Sequence, residues 1–177
     1  MSIVNKIPKL EQIAPVYALI VVMIYPWTLM RLFWKLPSWI LFASIGDLVV
    51  IFAYMVAVNF LESILVLFAP LGINLILPQK WFYDRFESRS VSLVLFGLGY
   101  LTYLKNQLSV DAPFPLTLVR WLPAAFVAIL VLVFLVDRVA FLRQALVALA
   151  TRLTVFLYLV VPISILSLLV VLFRNIF

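Results

Sequence analysis

Residues 153–173 read LTVFLYLVVPISILSLLVVLF, with no charged side chain and no alternation of apolar with polar positions. About 20 apolar residues suffice for a helix to cross the roughly 30 Å hydrocarbon core of a bilayer. Spanning strands read instead as segments of about ten residues that alternate. Since every backbone N–H and C=O must be paired internally where water is absent, a non-alternating run of this length selects a helix. Comparable runs recur upstream. The expected fold is therefore all-α: a polytopic helical membrane protein forming one domain over 1–177, with four to five transmembrane helices and short loops. The expected spans are 13–34, 38–69, 91–104, 121–143 and 153–173.

Composition supports lipid as the main solvent, because 67% of residues are hydrophobic and only 11% charged, the inverse of a soluble surface. The net charge of +6 comes from Lys and Arg flanking the apolar runs, where they meet headgroups and set topology. The expected partners are membrane lipids and other integral membrane subunits, not nucleic acid. The chain contains no Cys and no His. Disulfides, thiolate nucleophiles and the common haem and zinc ligands are thereby excluded, so no cofactor is expected. No small-x-small cleavage pattern follows the first run, and helix 1 is expected to stay as a signal anchor.

Prolines and charges set the expected boundaries. Pro15 suits an opening turn, Pro26 interrupts helix 1, and Pro37 is expected to stop it, with Ser38 capping helix 2. Helix 2 would reach about 48 Å, beyond the hydrocarbon core. It has to tilt, bend or leave the membrane, and residues 73–77 read as an interfacial or re-entrant piece after it. The 91–104 span covers only about 21 Å, and it crosses only if its polar neighbours snorkel. Residues 105–120 read as a polar loop. Helix 4 is expected to continue as an amphipathic interfacial segment up to Arg152. With five spans, one side holds Lys6, Lys9, Lys80, Arg85, Arg89, Arg138, Arg143 and Arg152. The other holds Arg31, Lys35, Lys105, Arg120 and Arg174. That bias favours a cytoplasmic N-terminus.

Carboxylates within an apolar run are costly and raise a functional hypothesis. At 100° per residue, helix 2 gathers Ser44, Asp47, Tyr54 and Glu62 into one polar stripe, with Asn59 at its margin. The stripe reads as an ion, proton or headgroup path. The competing reading is two carboxylates about 22 Å apart, near opposite interfaces and either solvated or paired with Arg. Arg31 is placed to reach Asp47 across the Pro37 turn, or to snorkel to its own interface. Asp137 and Arg138 close the apolar part of helix 4, either as members of an intramembrane ion pair with another helix or as interface markers. Lys80, Arg85 and Arg89 lie among Trp81, Phe82, Tyr83 and Phe86, as headgroup contacts or as part of an ordinary aromatic belt.

No His-containing dyad, Gly-x-Ser-x-Gly elbow or phosphate loop can be written from these residues. A non-catalytic membrane subunit or scaffold is the expected function. The alternative is a small transporter or channel component with a polar path along helix 2. A third reading, a lipid-linked-substrate enzyme using only carboxylates and arginines, has no positive sequence support.

Overall fold

A computed structural model describes residues 8–77, 82–107 and 116–176. Over those residues the chain forms six α-helices and one 3-10 turn. Helix α1, Leu10–Ile40, has 31 residues and opens with Glu11 in its first turn, where a negative charge complements the helix dipole. It runs about 46 Å and continues through Pro15, Pro26 and Pro37. The expected stop at Pro37 is therefore corrected. Ser38 does not cap a second helix; its hydroxyl donates to the Lys35 carbonyl at 2.8 Å.

The chain turns later, where Ser44-Ile45-Gly46-Asp47 forms a capping box. Asp47 N–H donates to Ser44 Oγ at 3.2 Å, and Ser44 N–H donates to Asp47 Oδ2 at 3.1 Å. Two orphan donors at the helix start are satisfied reciprocally, a stronger start signal than Ser38 offers. Helix α2, Ile45–Ile76, thus keeps its expected length of about 48 Å, but it lies some seven residues further along. It continues through Pro70. Of the segment over 73–77, expected as a separate interfacial or re-entrant piece, residues 73–76 are its last turn and Leu77 caps it.

A 3-10 turn, Tyr83–Arg85, leads into α3, Phe86–Gln107. At 22 residues, or about 33 Å, α3 is longer than the expected 91–104 because its charged flanks are helical too. Helix α4, Leu116–Arg138, ends against Val139, whose φ of −88° and ψ of 104° are extended. Helix α5, Ala140–Leu153, and helix α6, Val155–Ile176, follow. The expected continuous helix over 121–143 is thus broken at Val139. The loop expected over 105–120 is helical at both described ends, and residues 108–115 lie outside the described ones.

Helices α1, α2, α4 and α6 are long and apolar enough to cross a membrane. Helix α1 is the centre of the bundle. Its Val16, Leu19 and Ile20 pack with Phe82, Phe86, Val91, Val94 and Ala150, and its Val21 and Tyr25 pack with Val56. Between helices in lipid there is little hydrophobic drive, so close packing and polar contacts have to hold them together. Three such contacts radiate from α1: Tyr17 to Ser63 at 3.1 Å, Tyr25 to Ser164 at 2.8 Å, and the Thr28 hydroxyl donating to Asn59 Oδ1 at 2.9 Å. They tie α1 to α2 and α6. In α4 and α6 only 11% of the apolar window is buried, which leaves their flanks as the outer surface.

Two tertiary contacts fix the direction of α3. Arg89, near its start, meets Asp137 at the end of α4, while Lys105, near its end, lies over Trp27 of α1. Helix α3 therefore runs beside α1 in the same direction and antiparallel to α4. One end of the bundle carries Arg85, Arg89 and Arg143. The opposite end carries Arg31, Lys35 and Lys105.

Candidate functional site

Two polar assemblies stand out, one at each end of the bundle. The first is built on Asp137, which is only 2% exposed. A carboxylate removed from water costs several kcal/mol unless opposite charge and hydrogen bonds replace its hydration. Here α3 and the 3-10 turn before it supply both. Arg89 donates from Nε at 2.9 Å and from Nη2 at 2.8 Å to Oδ2, Arg85 donates to the same oxygen at 3.3 Å, and the Ser88 hydroxyl donates to Oδ1 at 3.3 Å. Because α4 ends here, its last carbonyls lose their helical partners, and Arg85 also donates to the Asp137 carbonyl at 3.3 Å. Arg89 further lies 5.3 Å from the centre of the Phe134 ring. The pair is thus the ion pair with another helix that the sequence left open for Asp137. Its neighbour Arg138 points to the exposed surface. Arg85 and Arg89, read from sequence as headgroup contacts or belt residues, are held by this carboxylate, and Lys80 lies outside the described residues.

The second assembly is a cleft of about 760 Å³ between α1, α2 and α3. Trp27 is its organising side chain. The Arg31 guanidinium carbon lies 5.4 Å from the ring centre and Lys105 Nζ lies 4.6 Å from it, both within cation–π range. Arg31 and Trp27 share a face of α1 by their spacing of four residues, and α3 carries Lys105 to the same ring. Glu62, Asn59 and Tyr54 line the cleft from α2. Lys105 feels the like charge of Arg31 and the opposite charge of Glu62. Among the described residues, neither cation has a carboxylate at ion-pair distance. The Trp27 indole N–H is buried with no acceptor among those residues. Beyond this polar mouth the walls are apolar, with Leu65, Val66, Leu98 and Leu101.

The helix 2 stripe is accordingly divided. Ser44 and Asp47 are exposed and satisfy one another in the capping box, including a 2.7 Å bond from Ser44 Oγ to Asp47 Oδ2. Tyr54 donates to Asn175 of α6 at 3.0 Å while bordering the cleft, and Asn59 accepts from Thr28. Glu62 opens onto the cleft. Arg31 turns to Trp27 and not to Asp47. With the turn moved to Leu41–Ser44, their heights differ by about 10 Å. Sequence reasoning missed Trp27, Ser88 and Lys105. The four-residue spacing of Trp27 and Arg31 was a usable signal, whereas Lys105 and Ser88 depend on how α3 packs.

No protein-family model, curated protein or solved structure matches the chain. Among the described residues, no three acidic side chains converge as a metal site would require.

Proposed function

We propose that the chain is a non-catalytic integral membrane subunit or scaffold that packs against partner membrane proteins. The observation that carries this reading is on α4, where Ala124 and Ala128, four residues apart, are both exposed. Small residues one turn apart let a second helix approach closely, which is how helices associate when lipid supplies no hydrophobic drive. The interior polar side chains support the same reading. Tyr17, Tyr25, Thr28 and Asp137 are engaged in bonds between helices, an arrangement suited to a rigid platform. The proposed location is the cell membrane, with the N-terminus in the cytoplasm by the distribution of Lys and Arg.

Purification in a mild detergent, with co-purifying proteins identified by mass spectrometry, tests the proposal. A stoichiometric membrane partner that is lost from the Ala128→Leu variant is expected. A protein recovered consistently alone would overturn it. A transport component is the second reading, favoured by Tyr54, Asn59 and Glu62 lining one cleft. Unchanged flux in reconstituted Glu62→Gln protein would reject it.

A further inference from the structure

We propose that the cleft between α1, α2 and α3 binds a membrane phospholipid whose headgroup carries both a phosphate and a primary ammonium. The inference is independent of whether the chain is a scaffold. It rests on the charges of the cleft and on where its apolar walls begin.

Arg31 and Lys105 both approach one indole ring, so their positive charges are held no more than about 10 Å apart, close enough to repel one another. A phosphate between them supplies the missing counter-charge through charge-assisted hydrogen bonds. A ligand with a phosphate alone would leave Glu62 facing the headgroup without a partner. A primary ammonium donates to that carboxylate, and a quaternary ammonium has no N–H with which to do so.

The remaining surface fits the rest of such a lipid. A volume of about 760 Å³ lies within the roughly 300–1,000 Å³ of small-molecule sites. Leu65, Val66, Leu98 and Leu101 continue from the polar mouth as an apolar path for the glycerol backbone and the first acyl carbons. The charges lie at the end of α3 and beside a Trp, the depth at which headgroups meet aromatic side chains.

Native mass spectrometry of the full-length protein, with phosphatidylethanolamine, phosphatidylglycerol and phosphatidylcholine added in equal amounts, tests the site. Preferential retention of the ethanolamine lipid is expected. Combined Arg31→Gln and Lys105→Gln should reduce retention of all three lipids about fivefold or more, and Glu62→Gln should abolish the preference for ethanolamine over glycerol. Arg143→Gln, at the other end of the bundle, should change nothing. Photo-crosslinking of a diazirine-bearing phosphatidylethanolamine to the unaltered protein gives a readout that does not depend on variants folding. Labelling of Leu98, Leu101 or Leu65 is expected. Equal retention of the ethanolamine and choline lipids, or labelling confined to α4 and α6, would overturn the proposal.

Discussion

Arg89 places two of its nitrogens, Nε and Nη2, on a single oxygen of Asp137, at 2.9 and 2.8 Å. The arrangement joins the start of α3 to the end of α4 at a point where Asp137 is almost fully enclosed. Removing one partner of a buried pair strands the other, typically at a cost of about 3–5 kcal/mol. Arg89→Ala should therefore lower the midpoint of thermal unfolding in detergent sharply. Asp137→Asn, which keeps the shape and removes the charge, should recover part of the loss when combined with Arg89→Ala. Strictly additive effects in that double-mutant cycle would contradict the pairing.

Arg85 shares the carboxylate but its side chain is 48% exposed, against 11% for Arg89. Solvent screens such a contact, and pairs of this kind contribute about 0–1 kcal/mol. Arg85→Ala should cost far less than Arg89→Ala in the same unfolding assay. A loss as large as that of Arg89→Ala would mean that the Arg85 contact to the Asp137 carbonyl dominates.

Ser44 and Asp47 satisfy each other and the first donors of α2. Ser44→Ala should cost about 1 kcal/mol, the usual price of a lost cap, with the helical content of the chain retained. Since both side chains are exposed at the helix end and Asp47 does not line the cleft, Asp47→Asn should leave lipid retention by the cleft unchanged. Loss of cleft binding in Asp47→Asn would restore Asp47 to the polar path that the sequence suggested.

Tyr25 and Ser164 meet at 2.8 Å although 139 residues separate them. Hydrogen bonds between membrane helices average about 0.6 kcal/mol because the separated helices also find partners. The cycle of Tyr25→Phe with Ser164→Ala should return a coupling of about that size by reversible unfolding in mixed micelles. A coupling indistinguishable from zero would show that α6 is held on α1 by packing alone.

Much of the fold is legible in the chain because lipid reduces the choice to helices and the apolar runs are long. Of the expected span 153–173, all but its first two residues lie in α6. Boundaries were less legible where proline was weighted above capping. Pro37 disrupts a helix only locally, while the Ser44-to-Asp47 box supplies two bonds at the true turn. The end of α4 was legible as a polar interruption, yet the partner of Asp137 was not. Arg89 lies 48 residues away, and no periodicity within one helix reports which other helix will pack beside it. The cleft shows the same limit: Trp27 and Arg31 share a face by spacing, but only the direction of α3 brings Lys105 to them.

The separation between Arg89 and Asp137 also bears on how the protein is made. At roughly 5–20 residues per second, synthesis reaches Asp137 about 2–10 s after Arg89 has been added to the chain. Until then Arg89 of α3 and Arg85 of the turn before it lack the Asp137 carboxylate that holds both in the folded chain. Helix α4 delivers that ion only with its last turn. The docking of α3 on α4 through this carboxylate therefore waits for the last turn of α4.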